Sequence, residues 1–274
     1  MPEASEPSSA SVLTTALRRV LQESSIATLV TLVEAPSGVG AKLLVEEQGA
    51  RVSSLGDPAL DEAVARHASA FLSARADART YTVKEFAPEL ERWLDARVLF
   101  ERIEPEPRLV ICGAGHVGAS LARLARFVGY RTTLIDDRAD FVTRERFPDE
   151  GIELIAALSW TQAVSDAIGA GRGVSVAVVT RGHNEDEECL RAVVAARPDY
   201  VGLIGSKRRT NIVLERLRET GVDEDLLRNV RAPIGLDIGA VSPEEVALAI
   251  LAEVVAERRG GAGASLSAWR RGTD

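Results

Sequence analysis

Residues 110–138 read VICGAGHVGASLARLARFVGYRTTLIDDR. An apolar strand over Leu109–Cys112 enters a turn carrying Gly113, Gly115 and Gly118 in GxGxxG spacing. A helix is expected near Val117–Phe127, then a second apolar strand over Arg131–Ile135 that runs into Asp136. Strand, glycine turn, helix and strand make the opening unit of a dinucleotide-binding sheet. The first glycine permits the tight turn, the second lets a phosphate approach the backbone, and the third lets the helix pack close to the strand. The helix start offers unpaired N–H groups to an anion. Asp136 follows Gly118 by eighteen residues, where a carboxylate can accept hydrogen bonds from a ribose diol.

Each of these residues also has a plainer role. The loop can be a structural turn, and dinucleotides, adenylated compounds and other phosphorylated groups satisfy the same local physics. His116 can bond a ligand phosphate or cap the helix. Arg138 can hold a phosphate or form a surface ion pair, with Asp137 as a solvated neighbour. Cys112 closes the strand either as a small buried residue or as a soft sulfur ligand for a metal.

Downstream, strands are expected near Ile152–Ala156, Val174–Val179 and Val201–Ile204, with helices over Glu185–Ala195, Arg209–Glu219 and Glu244–Glu257. This alternation predicts an α/β fold, a Rossmann-like parallel sheet with helices on both faces over residues 108–258. Upstream, a helix over Val12–Glu23 precedes strands at Ile26–Val33 and Ala41–Glu46, joined by the turn-rich APSGVG. A helix over Glu62–Ser73 and strands at Arg79–Lys84 and Val98–Ile103 complete a smaller N-terminal α/β domain, residues 12–102. The stretch IEPEP, residues 103–107, reads as a connector, because each proline restricts its predecessor and removes a backbone donor. Residues 1–11 read as a disordered lead. Residues 259–274 read as a flexible tail whose Trp269 is placed to dock on the body or on a partner.

Three further junctions carry polar groups. In TRGHNEDEECL, residues 180–190, His183 is a candidate acid/base that Asp186 can orient, while the carboxylates can equally cap a helix. Cys189 reads as helix packing. In YVGLIGSKRRT, residues 200–210, Gly205 allows an abrupt turn and Ser206 caps a helix. Lys207 and Arg208 are candidates to face a phosphate or a carboxylate there. In APIGLDIGAVSPEEV, Asp237 is a candidate to enter the crevice, and Ser242, Pro243 and Glu245 make a helix-start signature.

Composition narrows the class. The 274 residues are 46% hydrophobic but only 4% aromatic, so the core is built from Ala, Val, Leu and Ile. A formal charge of −8 argues against general nucleic-acid binding. Two cysteines make neither a disulfide framework nor a Cys-rich metal site. The polar, acidic start does not read as a signal peptide, and no apolar run reaches transmembrane length, so a cytoplasmic protein is expected.

Read together, VICGAGHVG, TLIDDR, YVGLIGSKRR and PIGLDIGAVSPEEVALAILAEV resemble the XdhC/CoxI family of maturation factors for xanthine and carbon monoxide dehydrogenases. The resemblance covers about Leu109 to Glu257. It implies a carrier-chaperone that binds molybdenum cofactor, assists its sulfuration and delivers it to an apo molybdenum hydroxylase. It further implies a cysteine-desulfurase-like partner and a homodimer. The glycine loop, Asp136, Ser206, Lys207 and Asp237 fall in the matching stretches, and His183 lies within the span they cover.

The first domain departs from the family. Where the family has a stretch like GSSPRPPGAK, this chain has VEAPSGVGAK, residues 33–42, with Ser37 at the arginine position. Where the family has GSIGGGCLE, it has SSLGDPALD, residues 53–61, with Ala59 at the cysteine position. Ala59 offers no thiolate and Ser37 no bidentate grip on an anion. Two rivals stand beside the maturation factor: an NAD-dependent oxidoreductase with His183 as proton donor, and a nucleotide-sensing interaction protein.

Overall fold

The computed structural model describes residues 9–74, 76–169 and 171–267. The chain forms two compact units, Met1–Pro105 and Glu106–Asp274.

The first unit runs α1 (Ser9–Gln22), β1 (Ala27–Glu34), β2 (Lys42–Glu46), β3 (Arg51–Ser54), α2 (Pro58–Ser73), β4 (Ala78–Thr82) and β5 (Arg97–Ile103). Its strands form one five-stranded sheet in the order β3-β2-β1-β5-β4, every pairing antiparallel. The central strand shows why both sheet faces are covered. Val30 and Leu32 of β1 join the core of α2, built from Leu60, Val64 and Phe71. Ala27, on the opposite pleat, joins Leu13, Ala16 and Val20 of α1. Helical residues begin at Ser9, so the three residues 9–11 assigned to a lead belong to α1; the remainder of that lead lies outside the described residues.

The second unit runs β6 (Arg108–Cys112), α3 (His116–Phe127), β7 (Arg131–Asp136), β8 (Ile152–Ala156), α4 (Trp160–Ile168) and β9 (Val174–Val178). It continues with α5 (His183–Ala196), β10 (Tyr200–Leu203), α6 (Lys207–Glu219), α7 (Glu224–Arg228), β11 (Val230–Arg231) and α8 (Pro243–Arg259). Six parallel strands take the order β11-β10-β9-β6-β7-β8. Numbered from β6, this is the 3-2-1-4-5-6 order of the Rossmann fold, reversing between β6 and β9.

Near-continuous apolar strands fit a sheet buried on both faces. Val110 and Cys112 of β6 pack with α4, α5 and α6, through residues such as Val164, Leu190 and Val213. Leu109 and Ile111 face α3 and α8, through Leu121, Ala122, Ile250 and Val254. The rule that ligands bind outside the carboxyl ends of the strands at a reversal point places the region of interest beyond Cys112 and Val178. No helix among the described residues is long and apolar enough to cross a membrane. Trp269 lies outside the described residues.

Candidate functional site

β6 ends at Cys112, and the chain turns through Gly113 at φ +114°, where a side chain would be strained. A Cβ on Gly113 would also lie 2.5 Å from the Val179 carbonyl oxygen. One on Gly118 would lie 1.8 Å from the Gly113 carbonyl oxygen, so α3 sits hard against the loop. Gly115 differs: a Cβ there would meet nothing within 4 Å. Two glycines therefore serve packing and the middle one leaves open space.

The helix starts divide in the same way. Within this unit α4, α6, α7 and α8 begin under side-chain caps from Ser159, Ser206, Asp223 and Ser242. α3 and α5 begin at Gly115 and Gly182 with no side-chain cap. These two follow β6 and β9, the strands flanking the reversal. Their first N–H groups are the orphan donors that attract anions.

A crevice of about 420 Å³ opens here. Six residues named as candidate ligand contacts, Gly113, Gly115, His116, Asp136, Arg138 and Gly205, are among those that line it. So are Thr180, Arg181, Arg209, Trp160 and Pro243, none of them among the expected ligand contacts. Arginines are hard to place from sequence because a long side chain declares its direction only when a carboxylate fixes it.

Asp136 is 1% exposed, and its acceptor sites are filled from within the protein. Oδ2 accepts from the Ala114 amide at 2.7 Å and from Arg138 Nη2 at 3.0 Å. Oδ1 accepts from the Arg138 amide at 3.0 Å and from Arg138 Nε at 2.8 Å. Burial disfavours the charge, but the Arg138 side chain and the two amides outweigh it and hold the carboxyl below its usual value. This corrects the expectation of a ribose contact: a diol can bond Asp136 only by displacing Arg138 or the loop amide.

Two more arginines are aimed by carboxylates. Arg181 donates to both oxygens of Asp137 at 2.7 and 2.9 Å and reaches Glu185 at 3.2 Å. Arg209 donates Nε to the fully buried Asp186 at 3.0 Å, and Thr180 donates its hydroxyl to the same carboxylate. Three preorganised guanidinium groups thus border one crevice, which suits a phosphorylated ligand.

Other expected residues fall elsewhere. Ser206 caps α6 by accepting from the Arg209 amide at 3.3 Å. Lys207 and Arg208 are exposed and stand apart from the described lining, as does exposed Asp237. The helical turn that points them outward brings Arg209 inward. Gly118 lies beneath the loop. His183 begins α5, and its side chain lies outside the described residues.

Cys112 is wholly buried in the core cluster that also holds the buried Cys189. Burial, Cys112 and nearby carboxylates push the Cys189 thiol well above its usual value. A metal-facing Cys112 is therefore not what the packing provides. Among the described residues no group of three or more His, Cys, Asp and Glu residues is placed to hold a metal. The site fits a phosphate and offers no sulfur.

In the first unit, Ala59 lies in the first turn of α2, and its amide donates to Asp57 at 2.9 Å. Ser37 accepts from Arg92 at 3.3 Å, and Lys42 donates to Thr31 at 2.7 Å.

The model for the XdhC Rossmann domain matches residues 109–254, and that for the XdhC and CoxI family matches residues 20–83. The uncharacterized protein YqeB of Escherichia coli is 34% identical over 149 residues, 54% of this chain and 27% of that protein. A Bacillus subtilis protein, a probable xanthine dehydrogenase subunit, is 31% identical over 162 residues, 59% of this chain and 46% of its own. The E. coli molybdenum cofactor insertion chaperone PaoD is 27% identical over 154 residues, 56% and 41%. The chain thus spans between about a quarter and a half of the length of these relatives. A solved protein described as a xanthine dehydrogenase from Bacillus halodurans shares the fold at 17% identity, with a TM-score of 0.50 over 93% of this chain and 98% of its own. With more than half of its length matched by the Rossmann-domain model, the chain belongs to the XdhC family.

Proposed function

We propose that this chain binds molybdenum cofactor and serves the maturation of a molybdenum hydroxylase. Its partners would be the apoenzyme and a cysteine-desulfurase-like sulfur donor, and it would act as a cytoplasmic homodimer. The observation that carries the reading is the crevice at the reversal point: an open glycine, two uncapped helix starts and three aimed arginines, in an XdhC-family chain with a relative named as an insertion chaperone. The α3 start and the guanidinium groups would hold the phosphate, and Thr180 would bond polar edges of the ligand. Bound cofactor supplies the molybdenum and its sulfur chemistry. This chain's residues grip, orient and shield it.

Two losses shape the reading. Ala59 and the burial of both Cys112 and Cys189 leave no exposed thiol on this chain to carry sulfur, so sulfuration would fall to the partner. Asp136, spent on Arg138, weakens the NAD-dependent oxidoreductase, and nucleotide sensing keeps the same crevice without transfer. Anaerobic titration with molybdenum cofactor, gel filtration and metal analysis tests the reading, with NAD in parallel. Stoichiometric co-elution of molybdenum, followed by activation of an apo-hydroxylase, is the expected outcome. Loss of molybdenum together with saturable NAD binding would overturn it.

A further inference from the structure

We propose that the β7 side of the crevice selects a phosphomonoester over a ribose diol, with Arg138 as the reading residue and Asp136 as the residue that aims it. The inference rests on the reading that this crevice is the ligand site and goes further by naming which group of the ligand is recognised.

The glycine loop followed by an acidic residue ordinarily marks a diol reader, because a free carboxylate accepts from two hydroxyls. Here the acidic residue at the strand end, Asp136, is not free. A carboxylate has about four acceptor sites, and all four hydrogen bonds to Asp136 come from Ala114 and Arg138. A diol would have to break part of this buried fork and leave the guanidinium without its partner. A phosphomonoester breaks nothing.

Arg138 is the group the crevice meets. Its side chain is 33% exposed while Asp136 is 1% exposed. Of the guanidinium's five donors, one on Nε and one on Nη2 go to Asp136. Nη1 makes no hydrogen bond among the described residues, so its donors remain for an anion. The Phe141 ring lies 3.5 Å from the guanidinium carbon and supports its face, with Arg146 stacked on the same ring at 4.5 Å. Fork on one side and ring on another fix the direction of Nη1 before a ligand arrives. Arg181 also lines the crevice and stands near enough for its charge to act on Arg138. Asp137, which accepts from both Nη atoms of Arg181 and also lines the crevice, already sets a carboxylate charge beside the two cations.

The phosphomonoester can come from the terminal phosphate of molybdopterin or from the 2′-phosphate of NADP, and NAD supplies the diol without it. Calorimetric titration of the full chain with NADP⁺ and NAD⁺, and anaerobic titration with the molybdopterin form of the cofactor, compares all three. Expected is at least one phosphomonoester ligand bound about tenfold or more tighter than NAD⁺. Its affinity should rise between about pH 5.5 and 7, as the phosphate loses its second proton. Arg138→Gln should remove that preference and the pH dependence together.

Arg138→Lys guards against a fold defect, since it keeps a cation beside Asp136. It should retain the thermal midpoint while losing most of the preference, because an ammonium cannot bond Asp136 through a fork and present a second edge. NAD⁺ bound as tightly as NADP⁺ and the cofactor, a preference that survives both variants, or binding of no ligand would each overturn the proposal. NADP⁺ selectivity without retained molybdenum would sustain this inference and sink the molybdenum reading. Molybdenum retained equally by wild type and Arg138→Gln would do the reverse.

Discussion

Two helices begin at glycine-bearing turns, α2 just after Gly56 in the first unit and α3 just after Gly115 in the second, and their first turns are finished in opposite ways. At α2 the chain supplies its own anion. Asp57 accepts from the amides of Ala59 at 2.9 Å and Leu60 at 3.3 Å, and from Trp93 Nε1 at 2.9 Å. Asp61 and Ser54 tie the preceding turn through the Leu55 and Gly56 amides. At α3 no side chain does this, and the residue at the cap position is a glycine with empty space beside it. Glycine in place of a capping side chain costs only a few tenths of a kcal/mol, so leaving the α3 start open forgoes little stability. That omission is expected where an external anion completes the turn. The turn before α2 is a closed structural joint, and the one before α3 is open.

The glycine loop should break the comparison most forcefully. Gly118→Ala places a carbon against backbone that no rotamer change can clear, and should cost about 3 kcal/mol in denaturant unfolding and abolish ligand retention. Gly115→Ala should cost less than about 1 kcal/mol, because its φ of −66° suits alanine and nothing stands in the way, yet it should weaken binding by filling the cradle. If the two variants lose stability equally, Gly115 is a packing residue and the crevice loses its phosphate seat.

The next largest effect belongs to the closed joint. Asp57→Ala removes two cap bonds and strands the Trp93 N–H, and should cost about 2 kcal/mol without changing ligand affinity. The Trp93 hydrogen bond, helped by the two amides and Arg92, holds this carboxyl below its ordinary 3.8. Its contribution is therefore complete above pH 3.8 and fades as pH falls through the lower folded value. Acid unfolding of Asp57→Ala should be flatter over that window. A ligand affinity that moved with this substitution would mean the joint is not closed.

Much of the fold is legible because its signals are periodic. The expected β6, β7, β8 and β9 each fall within a residue of their observed limits, since apolar strands bounded by turns admit few other readings. Four elements carry too little pattern to be read: β3 has four half-exposed or exposed residues, α4 nine residues, α7 five and β11 two. Their existence depends on neighbours already in place. The candidate site divides similarly. Backbone-determined members such as Gly113, Gly115 and Gly205 are visible in sequence, because glycine declares a conformation. Charged members are not, because a one-residue step around α6 decides between Arg208 and Arg209. The duty of Asp136 also depends on a partner two residues away folding back upon it.

A smaller effect tests a buried joint in the first unit. His67 stacks on Phe86 at 4.7 Å and meets Tyr81 and Phe100 edge-on, and its Nε2 is enclosed without a hydrogen-bond partner. Desolvation lowers its affinity for a proton below the ordinary 6.5, with Glu85 opposing and Arg79 assisting. The unfolded chain therefore binds the proton first as pH falls. Stability is fully present above pH 6.5 and declines as pH drops through the folded value. Replacing His67 with Phe should remove this slope below pH 6.5 while leaving ligand binding unaltered. An unchanged slope would assign the pH dependence to another group.

The smallest expected effect concerns the thiols, and its absence is the informative result. Cys112 is one peptide bond from Gly113, which makes it tempting as a sulfur ligand beside the phosphate seat. Alternation of the strand sends its side chain instead into the core with Val110, where it is fully buried and meets Cys189. In the native protein neither thiol should react with a disulfide reagent over the time in which denatured protein exposes both. Cys112→Ala should cost about 1 kcal/mol as a small core cavity and alter cofactor retention by less than about twofold. Rapid native labelling of Cys112, or loss of molybdenum from a folded Cys112→Ala protein, would turn the strand end into part of the site. The division between a sulfur-free phosphate seat and a closed core that holds both thiols would then have to be redrawn.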